Sequence, residues 1–286
     1  MTRLLAAIIS LVLPLMVLAD PPKGYYRFPA SGGNKIIFTA EGDLWKVDIN
    51  GGAAQRLTSH LGSETNAAVS PDGKLIAFSA QYEGPTEVYT IPFDGGIPAR
   101  RTFDGENATV VGWTPDGKIL YQTGHFSTLP NRQLLTIDTK SGAINLLPLN
   151  QASDGSFDVK GNTLYFTRLP FQGSHTKRYK GGTAQNIWKY TLGAPEALPL
   201  TPDFPGTSKN PQWWNGRVYF ASDRDGTMNL WSMNENGKDL KQLTMHKGFD
   251  VKSPSLRDGQ IVYQLGADIR LYDIAGSSDR LVSITL

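Results

Sequence analysis

Residues Asn66 to Phe103 read NAAVSPDGKLIAFSAQYEGPTEVYTIPFDGGIPARRTF, and this stretch spells out one complete four-stranded unit. Ala67-Ala68-Val69 is a short first strand. Ser70-Pro71-Asp72-Gly73 is a tight turn, because Pro pre-sets one backbone angle and Gly takes the positive one. Leu75 to Ser79 is a second strand, and Glu87 to Phe93, with its β-rich Val-Tyr-Thr-Ile run, is a third. Asp94-Gly95-Gly96 turns again, and Ala99 to Phe103 is the fourth. A sheet this small is not stable alone, so it must stack on copies of itself.

The copies are present. The turn glycines Gly33, Gly73, Gly117, Gly161, Gly216 and Gly259 are separated by 40, 44, 44, 55 and 43 residues. The aromatics closing the second strands, Phe38, Phe78, Tyr121, Phe166, Phe220 and Tyr263, are separated by 40, 43, 45, 54 and 43. Third strands follow in step from Asp43, Glu87, Gln133, Asn186, Asn229 and Asp268. Two independent markers give one register. The period and the four strands per unit predict an all-β, six-bladed β-propeller of four-stranded antiparallel blades. A β-sandwich is the competing reading, but a sandwich has no reason to repeat at this period. The blades are placed at about 25–59, 66–103, 108–150, 155–203, 209–246 and 251–286, within one domain over 20–286.

The first blade draws all four strands from one segment, with Tyr25 to Phe28 as its first strand. The last blade is likewise complete. No strand is exchanged between the ends, so the ring is expected to close by side-chain packing between blades 1 and 6 alone. The chain stops almost on its last strand, as a free-standing protein can and as a domain of a longer protein more often does.

The 28 basic and 26 acidic residues nearly balance, which gives no reason to invoke nucleic acid or a membrane surface. The absence of cysteine excludes disulfides and cysteine metal sites. Arg3 precedes an apolar run from Leu4 to Leu18, and Val17-Leu18-Ala19 offers small residues where a signal peptidase reads. The run is shorter than the roughly 20 residues that a membrane span needs. Residues 1–19 are therefore read as a signal peptide cut after Ala19. The mature chain is expected in the periplasm or secreted, with no membrane segment.

In a propeller the first strands line a central channel. Loops from strand one to two and three to four emerge on one face, and here they are short. The remaining loops emerge on the other face and are longer: 60–66, 123–132, 169–185, 202–209 and 246–250. Binding residues concentrate on such loops. All four histidines, His60, His125, His175 and His246, fall there, but on different blades and without metal-ligand spacing. No nucleophile elbow, phosphate loop or dinucleotide fingerprint is present, so no catalytic residue, metal or cofactor is assigned. Asp223-Arg224-Asp225-Gly226 resembles part of a calcium loop but lacks its distal ligands, and reads more simply as a turn. The long insertion in blade 4 carries His175, Lys177, Arg178 and Lys180. It reads either as an electropositive lip meeting a carboxylate or a neighbouring domain, or as a solvated basic loop. Arg100-Arg101 is a second basic pair, of which at most one can serve a given site because neighbours on a strand point apart.

Three segments are more specific: Ser59 to Tyr89, Ser174 to Tyr190, and Asn210 to Thr244. They resemble the N-terminal six-bladed propeller of Tricorn proteases, and the resemblance covers about Gly24 to Leu286. It implies a non-catalytic part of a large serine peptidase that trims oligopeptides. It also implies partners: a C-terminal propeller, a PDZ-like domain and a catalytic core outside this sequence, and further copies of the chain. A channelled ring of this kind is expected to pass and confine short peptides. The family's arginine pair between blades 2 and 3, which anchors a substrate carboxylate, would fall where this chain has only Asp104-Gly105-Glu106-Asn107. Arg100 and Arg101 sit earlier, on the fourth strand, and the role is not transferred. The alternative is a stand-alone periplasmic interaction propeller of Tol type, binding a protein partner through its loop-rich face. An enzyme working at the channel mouth has only the histidines behind it.

Overall fold

The computed structural model describes residues 24–129, 131–171 and 177–286, so the signal segment expected over 1–19 lies outside the described residues. Six four-stranded antiparallel sheets follow one another along the chain, each with its strands in sequence order. Blade 2 is representative: Glu64–Val69, Leu75–Ala80, Glu87–Pro92 and Ala99–Arg100. All six turn glycines marked in the sequence have positive φ, between 71° and 84°. In the Ser-Pro-Asp-Gly turn, Gly73 N donates to Ser70 O at 2.9 Å, and Ser70 Oγ donates to Asp72 at 2.7 Å.

The second strands hold the ring together. Successive side chains on a strand point to opposite faces, and here each face meets a different blade. Ile76 and Phe78 pack with Ile37 and Leu44 of blade 1, while Ala77 between them packs with Ile119 and Tyr121 of blade 3. Leu164 and Phe166 pack back on blade 3, while Tyr165 packs forward on Val218 and Phe220 of blade 5. The six clusters of buried apolar residues are the six blade interfaces. The recurring aromatic is the same wedge six times, always driven into the preceding blade.

The ring closes by that rule. Phe38 and Ile36 pack on Val262, Ile269 and Leu271 of blade 6. No strand is exchanged, but closure is not by side chains alone, which corrects the expectation from sequence. Gly52 and Ala54 donate to the carbonyls of Ser283 and Thr285, both at 2.8 Å, forming a two-residue parallel bridge. Tyr26 N also donates to Ala267 O at 2.9 Å, in a turn of blade 6. The first strand runs over Arg27–Ser31 rather than from Tyr25 to Phe28.

The outer strands are shorter than the sequence suggests, with Ala99–Arg100 in place of the five residues Ala99 to Phe103. A side chain takes over from the ladder. Thr58, Thr102, Thr201 and Thr244 accept the N–H of Leu44, Val88, Ile187 and Leu230 at 2.9, 2.9, 3.0 and 2.9 Å. Each threonine lies 14 residues beyond its donor. Blades 3 and 6 have Pro148 and Ser283 at that place; the backbone bond one residue earlier, from Leu147 N to Leu134 O and from Val282 N to Ile269 O, both at 3.0 Å, recurs in the other four blades.

Replacing Phe78 with Ala empties a wedge position and is expected to cost about 3–5 kcal/mol. Thr244→Val orphans the Leu230 N–H and is expected to cost about 1–3 kcal/mol. Urea denaturation reads both. A Phe78→Ala protein as stable as the parent would contradict the role given to the second strands.

Candidate functional site: the central channel and its loop-rich mouth

The innermost strands enclose a channel of about 690 Å³. Their geometry is set by the aromatic wedges behind them. Two residues bulge opposite one wedge in four blades: Phe28-Pro29 opposite Phe38, Asn66-Ala67 opposite Phe78, Asn210-Pro211 opposite Phe220, and Ser253-Pro254 opposite Tyr263. The first member of each pair is left-handed, with φ between 47° and 52°. Proline suits the second place in three of them, because it has no N–H to leave unpaired in the bulge. Blade 4 is regular and sets Gly155 opposite Phe166. A Cβ there would come within 2.5 Å of the Tyr165 carbonyl oxygen, so glycine does the work of the bulge.

The wall is unequal around the ring. Blades 2 and 3 contribute mainly neutral groups, such as Ala68, Val69, Val110, Val111 and Gly112. Blades 4 to 6 contribute Asp154, Lys209, Lys252, Arg257 and Asp258. Asp154 accepts two bonds from Asn210, from its N at 2.9 Å and its Nδ2 at 2.8 Å. Burial still pushes its carboxyl up to about 6. Burial lowers the Lys209 ammonium below its ordinary range, against the pull of Asp154. At the turn-side rim Arg257 reaches past blade 1 and donates to Ser70 O and Pro71 O of blade 2, both at 3.0 Å.

The residues singled out in the sequence lie elsewhere. His175 falls among 172–176, outside the described residues. Lys177 and Arg178 converge on Asp250 of the next blade junction, at 3.4 and 2.7 Å. Burial alone would raise the Asp250 carboxyl. Its bonds from Arg178 and Met228 N, with the charge of Lys177, hold it below the usual range instead. Arg178 also donates to Gly226 O, so Lys177 and Arg178 strap the blade 4 insertion to blades 5 and 6. No hydrogen bond or ion pair is recorded for Lys180 within the described residues. Arg100 bonds Thr102 O at 2.8 Å and pairs with Glu83 and Glu87, each at 2.9 Å. Arg56 braces Thr58 and Asp43 in the same way in blade 1. Arg101 is held by Thr90 Oγ1 at 2.8 Å and Thr139 O at 3.1 Å. Both arginines are engaged on the outer strand of blade 2, away from the channel lining.

The described histidines take separate partners. His60 packs against Tyr82 with ring centroids 3.9 Å apart and planes tilted by 40°, and His125 packs on Phe126. His246 Nε2 lies 2.8 Å from the Tyr263 hydroxyl, which donates to Asp279 at 2.7 Å. Asp223 to Gly226 is the turn between strands Arg217–Ser222 and Asn229–Asn234 of blade 5. What the loop-rich face does gather is aromatic surface. Tyr25, Phe103, Phe126, Phe171 and Phe249 are the exposed aromatics among the described residues, and all five are on that face.

Ring, bulged inner strands and channel define a β-propeller domain with a lumen and one loop-rich face. Residues 23–278 match the family described as the Tricorn protease N-terminal beta propeller domain, and the chain belongs to that family. It is 30% identical over 265 residues to Tricorn protease homolog 1 of Streptomyces coelicolor, covering 92% of this chain and 25% of that protein. A protein of Sulfurisphaera tokodaii described as a Tricorn-like protease N-terminal subunit is 30% identical over 171 residues, 56% of this chain and 84% of that one. The same organism's C-terminal subunit matches over 70 residues at 40% identity, 24% of this chain and 8% of its own length. The crystal structure of the tricorn protease superposes with a TM-score of 0.81 at 24% identity, covering 91% of this chain and 26% of that one. A TolB structure from Agrobacterium tumefaciens shares the fold, with a TM-score of 0.64 at 20% identity over 77% of this chain and 81% of that one. The chain thus spans about a quarter of the full-length curated Tricorn proteases it matches.

The channel charges Asp154, Lys209 and Lys252 were not found by sequence reasoning. For the two lysines the signal was an X-Pro pair five residues before the turn glycine, at Pro211 and Pro254, each two residues beyond its lysine; nothing of the kind marks Asp154. The His246 network sets a pH test. Burial lowers the His246 imidazole against the charge of Asp279, so it favours the neutral ring. Its contribution is complete above the ordinary histidine range and is lost as pH falls through and below it. His246→Gln is therefore expected to cost about 1 kcal/mol at pH 7.5 and less at pH 5. Paired thermal melts check this, and a difference that grows toward pH 5 would contradict it.

Proposed function

We propose that this chain is the non-catalytic N-terminal propeller of an exported Tricorn-like serine peptidase, and that its channel admits and confines short oligopeptides. The carrying observation is a polar-walled channel of about 690 Å³ in a chain of this family. That volume lies within the roughly 300–1,000 Å³ of small-ligand sites, and suits an extended peptide segment rather than a folded domain. Peptide-bond cleavage is assigned to domains or subunits beyond this sequence. The separately encoded N- and C-terminal subunits of the Sulfurisphaera relative support a division of that kind. Lys180, beside the strap that Lys177 and Arg178 make to Asp250, is then the basic group left for a contact to such a partner. The N-terminal run supports export, and the exported protein is expected to begin at Asp20.

Fluorescence anisotropy with labelled hexapeptides tests the channel. Saturable binding without cleavage is expected. Gly112 lines the channel, and a Cβ there meets nothing within 4 Å. Gly112→Trp should therefore narrow the lumen without disturbing the wall and weaken binding about tenfold or more. Unchanged affinity in that variant would overturn the reading.

A second reading is supported by the five exposed aromatics on one face: an interaction propeller of Tol type, binding a protein there. Immunoblotting of the producing cell separates the two. A band several times larger than 286 residues supports the peptidase part, and one slightly smaller supports the stand-alone propeller.

A further inference from the structure

We propose that Lys209 and Lys252 form an oxyanion-binding site inside the channel, and that Asp154 sets the pH range in which it fills. The proposal goes beyond peptide passage and does not depend on it.

The two lysines hold equivalent places. Each immediately precedes the left-handed bulge residue of its inner strand, Asn210 with φ 52° and Ser253 with φ 47°. Such a bulge re-aims neighbouring side chains, and both lysines line the channel. Their charges repel, which adds to the lowering of the Lys209 ammonium. No hydrogen bond or ion pair is recorded for either ammonium within the described residues. A half-buried ammonium at Lys209 and an exposed one at Lys252, both on the channel wall and with their donors unspent, suit an anion with several acceptor oxygens.

The acidic groups facing Lys209 are Asp154, Asp250 and Asp223, and Lys252 is the facing cation. Asp250 is committed to Lys177 and Arg178. Asp223 accepts the Thr207 N–H at 2.9 Å. Asp154 is the remaining acid. It spends its bonds on Asn210 and makes no ion pair with Lys209 among the described residues. Its carboxyl, pushed up to about 6, is ionised above that pH and offsets one lysine. Below it the carboxyl is neutral, and the wall loses the acid that acts most strongly on Lys209. Anion affinity therefore rises as pH falls through about 6. The shared ligand chemistry is a compact oxyanion, either a free inorganic anion or the terminal carboxylate of a peptide.

Calorimetric titration of the full chain with sulfate, whose charge is constant over this range, tests the site at pH 5 and pH 7.5. Saturable binding is expected, about tenfold tighter at pH 5, the order produced by removing one nearby opposing charge. Asp154→Asn, which keeps an acceptor for Asn210, should bind at pH 7.5 as the parent does at pH 5. Lys209→Met and Lys252→Met should each weaken binding about tenfold. Lys252 is exposed, so Lys252→Gln carries the test if the Lys209 variant fails to fold. A blocked tripeptide as free acid and as amide distinguishes the sources. Tighter binding of the acid supports a peptide carboxylate, and sulfate binding with no preference between the two supports a free anion. The proposal is overturned by absent sulfate binding, by undiminished binding in the lysine variants, or by the parental pH slope in Asp154→Asn.

Discussion

The alternation of side chains along six second strands is the constraint on which this structure rests. Each strand is the middle layer of a stack, and its even and odd residues belong to different interfaces. Phe78 and Ala77 are adjacent in sequence yet bury themselves against blades 1 and 3. No blade has an apolar face that it can satisfy alone, and none can be removed without exposing two. The same alternation brings Phe38 against blade 6 and closes the circle. The short backbone bridge at Gly52 and Ile284 fixes the register of a closure that packing has already made.

The wedge also shapes the lumen. A bulky ring at Phe38, Phe78, Phe220 or Tyr263 stands opposite a two-residue bulge in the inner strand. Where Phe166 takes that place in blade 4, the inner strand stays regular only because Gly155 carries no Cβ. Core packing and channel chemistry are therefore coupled through single residues. Lys209 and Lys252 sit directly before two of the bulges and line the lumen, and the regular strand beside them sets Asp154 against Asn210. A change in the core of blade 5 or 6 would be felt in the channel before it was felt at the outer rim.

Turns and second strands were legible because their signals are local. A glycine that needs positive φ and an aromatic at fixed spacing mark each unit without reference to anything distant. The outer strands were overestimated because Thr102 looks like a strand residue, while its hydroxyl replaces the ladder by taking the Val88 N–H. The recurring 14-residue spacing from Leu44, Val88, Ile187 and Leu230 to their threonines was present in the sequence, but no single blade reveals it. Arg100 attracted notice as half of a basic pair. Its partners Glu83 and Glu87 give it the bracing role that Arg56 has with Asp43.

By itself the sequence determined the number of blades, their order, the turn positions and the separation of a turn-rich from a loop-rich face. These follow from repetition, and repetition needs no knowledge of contacts. Only the tertiary structure decided which charges share the channel. Asp154, Lys209 and Lys252 come from three blades, and only the closed ring brings all three to one lumen. It also decided that Lys177 and Arg178 are spent on Asp250, a residue some 70 positions away. A charge's availability depends on what stands opposite it, and that is fixed only when the ring has closed.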